Sequence, residues 1–173
     1  MGVHMMRNFK IVRVNSDYCD YLRKFDTKVS YIKGSKKLRP FVGVLFKIDK
    51  WEYFAPLSSP KPKHKLMKNR LDFFKIKNGE LGAINFNNMI PVTKNNYTEI
   101  DLYSTNLDIE ERKYQKMLKE QLSWLNAHSY QIKDRSHKLY ERYKTNKLST
   151  QLKNRCCNYP LLEEKSLEYV KVH

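Results

Sequence analysis

From Asp108 to Tyr130 the chain runs without a glycine or a proline, whereas the residues before it are broken by both into short apolar runs. A chain built this way segregates strands from helices, which is the α+β pattern. Tyr114, Leu118, Leu122 (or Gln121) and Leu125, flanked by Met117 and Trp124, make a wide apolar stripe that predicts one long amphipathic helix over 108–130. Gln131 to Tyr143 continues with Ile132, Leu139 and Tyr143 as a second helix or a kinked extension. Lys144 to Cys157 is basic and reads as a loop. Tyr159 to Val170 closes the chain as a helix opened by Pro160, with Glu163 and Glu164 favoured in its first turn by the helix dipole.

The earlier residues read as short strands. Lys10–Val14 is the first. A helix of roughly ten residues follows, with Ser16 as its N-cap, Asp17 in its first turn and Tyr18, Tyr21, Leu22 and Phe25 at helical spacing. Asp26 to Leu38 is a basic loop, either merely solvated or a phosphate clamp. Pro40–Ile48 and Trp51–Leu57 predict a hairpin across an Asp49-Lys50 turn. Phe73–Ile76 and Leu81–Phe86 predict a second, across Asn78-Gly79. Met89–Val92 adds a strand that Pro91 confines to an edge or a strand end, and Glu99–Leu102 another. Together they predict a compact, strongly bent antiparallel sheet or partly open barrel, surrounded by helices. Residues 1–6 are set aside as a tag or disordered start, leaving a single domain over 7–173.

Charge narrows the partners. Thirty-four Lys+Arg against 18 Asp+Glu leave a net +16, which suits a polyanion. A soluble basic protein of ribosomal or chromatin type is the plainer reading. Cys19, Cys156 and Cys157 form neither a disulfide framework nor a zinc pattern, and fit a reducing, cytoplasmic setting. No apolar run reaches the roughly 20 residues of a membrane span, and no signal peptide opens the chain. No phosphate-cradling glycine loop, dinucleotide turn or metal-ligand spacing is present, so no cofactor and no metal are expected.

The stretch with the most chemistry is Tyr53-Phe-Ala-Pro-Leu-Ser-Ser-Pro-Lys-Pro-Lys-His64. An apolar strand ends in two hydroxyls, Ser58 and Ser59. Pro60 and Pro62 then set φ and predict a stiff, extended, non-helical exit. Lys61, Lys63, His64 and Lys65 put cations and an imidazole beside the hydroxyls. Counting outward from the turn, Ile48 faces Trp51 and Pro40 faces about Ser59, which brings Arg39 near Ser58 and Ser59. Arg39, Ser59 and Lys61 can therefore converge. That group suffices for RNA cleavage without a metal. The substrate's own 2′-OH attacks the adjacent phosphorus, and the protein aligns the attack and stabilises charge on the phosphoryl oxygens. It suffices equally for phosphate binding, and an ordinary strand-to-loop exit has the same composition. His64 is a candidate base or, more simply, a solvent- or phosphate-facing imidazole. His128 and His137 read as surface or interface groups.

Tyr53-Phe-Ala-Pro-Leu-Ser-Ser-Pro-Lys61 resembles the signature of the ToxN/AbiQ family of type III toxins. Three more segments resemble the family in the right order: Tyr18-Cys-Asp-Tyr-Leu-Arg-Lys-Phe-Asp-Thr-Lys-Val29, Leu81-Gly-Ala-Ile-Asn-Phe-Asn-Asn-Met-Ile-Pro-Val92 and Cys157-Asn-Tyr-Pro-Leu-Leu-Glu-Glu-Lys165. The resemblance implies a bent sheet like that of MazF/Kid-type toxins. It implies a metal-independent endoribonuclease that favours A-rich sites in cellular or phage mRNA and leaves 2′,3′-cyclic phosphate and 5′-OH ends. It implies a repeat RNA antitoxin, folded as a pseudoknot, which the toxin trims from its precursor and with which it alternates in closed assemblies. Growth arrest and abortive phage infection would follow. By position it puts the catalytic serine on Ser59, with Ser58 before it and Lys61 after it. The basic residue before the first core strand, usually lysine, is here Arg39, a planar phosphate clamp and a poor proton donor. The helix tyrosine falls on Tyr18. Tyr31 is the nearest counterpart of a loop tyrosine, and Lys28, Lys33, Lys36, Lys37, Lys63, His64 and Lys65 are the RNA-binding candidates. A non-catalytic RNA-binding module, stacking bases on its aromatics, is the alternative. A DNA-binding regulator comes third, since no helix-turn-helix signature is found.

Overall fold

The computed structural model describes residues 8–31 and 39–172. Among them the strands are β1 (Lys10–Val14), β2 (Phe41–Gly43), β3 (Lys47–Ile48), β4 (Trp51–Ser58), β5 (Phe73–Lys75), β6 (Ala83–Asn85), β7 (Ile90–Val92) and β8 (Tyr97–Glu99). The helices are α1 (Ser16–Arg23), α2 (Pro62–Leu66), α3 (Ile109–Ala127), α4 (Ser129–Lys144), α5 (Thr150–Arg155) and α6 (Tyr159–Val172). All strand pairs are antiparallel, in one open eight-stranded sheet ordered β5-β6-β4-β2-β1-β8, with β3 and β7 also joined to β4. The fold is α+β, with the long helices in the second half of the chain.

β4 is the hub. Trp51 and Glu52 pair with β3, Glu52 to Phe54 with β7, Ala55 and Pro56 with β2, and Leu57 and Ser58 with β6. A strand flanked on both edges and covered on both faces has no solvent side, so its sequence need not alternate. Accordingly Trp51 through Leu57 are all buried and only Ser58, at the end, begins to emerge. Gly43 lets β2 lie this close, because a Cβ there would fall 2.5 Å from the Phe54 ring.

The expected continuous strand over 40–48 is instead split. Ile48 faces Trp51, as the turn predicts, but Phe41 faces Pro56, so two extra residues are taken up between β3 and β2. This bulge spans Val44 to Phe46, whose backbone still bonds to Tyr53 on either side, Leu45 N–H donating to its carbonyl and its own N–H donating to Phe46. Arg39 is thereby drawn level with Ser58 and not with Pro60.

Other boundaries move for local reasons. Asn15, not Ser16, caps α1, its side chain accepting from the Asp17 N–H at 2.9 Å. The last strand is Tyr97–Glu99 and not Glu99–Leu102, set by pairing with β1. The supposed loop over 144–157 contains α5, capped by the Ser149 hydroxyl on the Leu152 N–H. The long helix stops at Ala127, where the His128 imidazole stacks on Trp124 at 3.8 Å and its Nδ1–H donates to the Trp124 carbonyl at 2.8 Å. His128 is thus a helix stop, whereas His137 is exposed as expected. At the ambiguous stripe position Gln121, not Leu122, is buried, donating to the Leu81 carbonyl.

The helices are tied to the sheet through Glu163. Its carboxylate accepts from Tyr53 of β4 and Tyr140 of α4, both at 2.7 Å. Placing Glu163 in a first turn, on the dipole argument, misses this cross-link. No helix among the described residues is long and apolar enough to cross a membrane.

Candidate active site

The expected extended exit after Ser59 is only partly observed. Pro60 and Lys61 are irregular, but Pro62 begins the short helix α2. Proline is excluded from helix interiors, yet its locked φ and missing N–H suit the first helical position, and that position is where Pro62 sits. Lys61 is the N-cap. Its N–H donates to His64 Nδ1 at 3.3 Å, and the His64 N–H returns a bond to the Lys61 carbonyl at 2.9 Å. The imidazole thus takes the part of the usual glutamate in a capping box, while the other half is a backbone carbonyl and not an N-cap side chain.

His64 is therefore not the solvent- or phosphate-facing group expected. It is 2% exposed, 5.9 Å from the Phe73 ring, and the backbone of its own residue abuts Gly79. Burial first, and then the Lys61 and Lys63 charges, hold its pKa below the ordinary value. The folded state thus takes up this proton less readily than the unfolded chain, whose histidine titrates near 6.5. The stability it contributes is present above about pH 6.5 and is lost as pH falls toward the folded value. The melting temperature is expected to drop between pH 7.5 and 5.5, and the drop to shrink in His64→Gln. An unchanged pH slope in that variant would show that His64 is not the group responsible.

At the sheet edge the Ser58 hydroxyl is held by two donors. Arg39 Nη2 reaches its Oγ at 3.3 Å and Asn85 Nδ2 at 2.7 Å. The two-residue bulge explains the first contact, since Arg39 stands level with Ser58. The β4–β6 register explains the second: Leu57 faces Ile84 and Ser58 faces Ala83, so Asn85 is Ser58's diagonal neighbour on the same face. The half-buried Arg39 has its pKa lowered by burial. Its bond to Ser58 is its only hydrogen bond or ion pair among the described residues, so most of its five donors remain for a ligand. Ser59 and Lys61 are exposed, and the described residues engage neither the hydroxyl nor the ammonium.

Gly82 supports this corner from behind. It has φ +97°, and a Cβ there would stand 1.9 Å from the Ser58 carbonyl oxygen. Gly79, at φ +91°, meets the His64 backbone in the same way. The β5–β6 connection therefore packs backbone to backbone against the segment that carries the hydroxyls and the lysine.

The remaining candidates are placed variously, some of them outside the described residues. Tyr18 is a core residue: it is 0% exposed, donates to the Pro91 carbonyl at 2.6 Å and stands edge-on to Tyr169. Pro91 faces Tyr53, five positions up β4 from Ser58, which puts this hydroxyl on the order of 15 Å from the corner at about 3.3 Å per residue. Burial raises its pKa, so it is a poor proton source as well. Its apolar helical spacing was the correct signal. Lys28 is half tied down, its Nζ 3.4 Å from the buried Asp26 and its carbonyl accepting from Asn88. Tyr31 is exposed, with the Arg23 guanidinium 4.6 Å from its ring centroid. Lys63 and Lys65 are exposed on α2. Lys33, Lys36 and Lys37 lie outside the described residues. Asn85 and Gly82, which hold and back Ser58, are not among the candidates read from the sequence; a polar amide inside an otherwise apolar strand was the available signal for the first.

Comparison with known proteins agrees over almost the whole chain. Residues 10–167 match the family model described as "Toxin ToxN, type III toxin-antitoxin system". The chain is 32% identical over 166 residues to the endoribonuclease ToxN of Bacillus thuringiensis subsp. kurstaki, covering 94% of this chain and 84% of that one. It is 34% identical over 168 residues to the endoribonuclease AbiQ of Lactococcus lactis subsp. lactis, covering 91% and 87%. A solved type III toxin, described as selectively inhibited by a non-coding RNA pseudoknot, superposes with a TM-score of 0.79 at 31% identity, over 94% of this chain and 98% of that one.

Proposed function

The chain belongs to the ToxN family of type III toxin–antitoxin toxins and is an endoribonuclease, and from that premise we propose that its Ser58–Lys61 corner cleaves RNA by internal transfer, without a metal ion. The observation that carries this reading is the Ser58 hydroxyl held between Arg39 and Asn85, beside exposed Ser59 and Lys61.

In the proposed reaction the substrate's 2′-oxygen attacks the adjacent phosphorus and loses its proton. The bond to the 5′-oxygen breaks, and that oxygen takes up a proton. A 2′,3′-cyclic phosphate and a 5′-OH result. Negative charge grows on the non-bridging phosphoryl oxygens, and the groups at hand to meet it are a guanidinium, an ammonium and hydroxyl donors rather than carboxylates. Arg39 clamps the phosphate and Lys61 neutralises it. Ser59 fixes the phosphate or ribose by hydrogen bonds; a serine without an adjacent base is not itself a strong base. Exposed Lys63, Lys65 and Tyr31, and the half-exposed Lys28, extend the cationic and aromatic surface along which RNA runs. Tyr18 and His64 take structural roles.

By likeness to the inhibited relative, we assign the antitoxin as a repeat RNA pseudoknot that occupies this corner, that the toxin trims, and with which it forms closed assemblies. Preference for A-rich sites in cellular and phage mRNA and a cytoplasmic place of action belong to the same proposal. So does a MazF/Kid-like bend, which the four-way pairing of β4 favours by drawing different strands to its two ends.

The test is cleavage of a short A-rich RNA in excess EDTA, with the product ends identified. Full activity and a cyclic phosphate terminus are expected. Activity that vanishes with EDTA and returns with Mg²⁺, or a 3′-OH product, would overturn the metal-free transfer.

A further inference from the structure

Ser58 is preceded by an apolar strand and followed by the residue to which the chemistry is assigned, yet its own hydroxyl is the one that the protein grips. A serine oxygen has two lone pairs and one proton. Arg39 Nη2 and Asn85 Nδ2 are both donors and both point at Oγ, at 3.3 and 2.7 Å. With both lone pairs engaged, the hydroxyl can accept nothing further, and its proton must turn away from the two donors. Of the two contacts, that of Asn85 is the shorter, and it is made by a neutral group built into a strand. β6 is held on one side by β4 and on the other by β5, with Phe73 facing Asn85. Gly82 then presses the same hairpin against the Ser58 backbone. The amide is therefore fixed on a rigid element, as the support of a catalytic group should be.

We propose that Asn85 is a positioning residue for the cleavage reaction, which acts by holding the Ser58 hydroxyl as an outward-facing hydrogen-bond donor to the scissile phosphate. Arg39 also has a phosphate to bind and shares its donors between the two; Asn85 keeps the hydroxyl oriented while it does so. The inference rests on the function proposed above. It adds that Ser58 serves as a donor only, and that its orientation is set from β6.

The experiment measures single-turnover cleavage of a short A-rich RNA, and separately the Kd for the same RNA carrying a 2′-deoxy substitution at the cleaved position. The proteins are wild type, Asn85→Asp, Asn85→Ala, Ser58→Ala and the Ser58→Ala/Asn85→Ala double variant, each with its melting temperature recorded. Asn85→Asp keeps size and shape but replaces the donor by an acceptor, which turns the serine proton inward. A roughly 10- to 100-fold loss of rate is expected in Asn85→Asp and in Asn85→Ala, with the Kd of the uncharged Asn85→Ala within about twofold, since the lost interaction counts mainly in the transition state; Asn85→Asp also weakens binding through its added negative charge. In the Ser58→Ala background the Asn85→Ala change should cost almost nothing more, because its target is gone. An undiminished rate in Asn85→Asp overturns the proposal. So does an Asn85→Ala loss that lies in Kd, or an Asn85→Ala penalty as large without Ser58 as with it. Should Asn85→Asp fail to fold, the comparison of Ser58→Ala with the double variant decides alone. Wild-type protein that leaves RNA intact would sink the assigned function and not this geometry.

Discussion

Ser59→Ala is expected to remove toxicity on overexpression without the RNA antitoxin, and to lower single-turnover cleavage by about 10²–10³-fold, the usual loss for one preorganised donor to a developing oxyanion. Its melting temperature should stay within about 2 °C of wild type, because exposed substitutions that break no contact rarely cost more than about 0.5 kcal/mol. Ser59 is exposed, and no described residue holds its hydroxyl. Loss of function without loss of stability separates this serine from Ser58, whose removal also frees Arg39 and Asn85. A Ser59→Ala protein that still arrests growth would move the chemistry elsewhere in the corner.

Gly82→Ala is expected to do the reverse and damage both. The new methyl would meet the Ser58 carbonyl oxygen at 1.9 Å, in a backbone conformation with φ +97° that disfavours any L side chain. Backbone strain of about 1–3 kcal/mol and overpacking of about 1–3 kcal/mol together give a loss of about 2–6 kcal/mol. For a chain of this size that is a melting-temperature drop of about 5–20 °C. Because the oxygen that must move belongs to Ser58, the surviving folded protein should also cleave more slowly per molecule. A variant with wild-type melting and wild-type rate would show that the β5–β6 connection yields where the geometry says it presses.

The strands around the proposed corner were largely legible in the sequence. Apolar runs bounded by turn residues located β1, β4, β6 and β7 to within a residue or two, and the glycine- and proline-free stretch located α3. What escaped was geometry that depends on long-range pairing. Counting from the Asp49-Lys50 turn placed Arg39 two residues too far along, because nothing local marks Val44–Phe46 as a bulge; the partner strand imposes it. The contact with Ser58 nevertheless emerged, since the error was smaller than the reach of an arginine. The prolines misled for a local reason: Pro62 forbids the interior of a helix and favours its start, and a rule for the interior was applied to an end. His64 misled for a third reason: a residue type that can do chemistry was weighed by its neighbours in sequence, while its burial depends on β5. Tyr18 entered as a site candidate only through the family resemblance, whereas its helical spacing places it on the apolar face that β7 and α6 bury.

Four strands hang on β4, and the corner sits at its last residue. Each stretch of that strand nevertheless rests on different neighbours, Ala55 and Pro56 on β2, Leu57 and Ser58 on β6. Hydrogen exchange should therefore differ along β4, and lifting β6 would free its last residues without opening the rest. A partner that lifts β6 would thus disturb the proposed corner while the remainder of the fold stays closed.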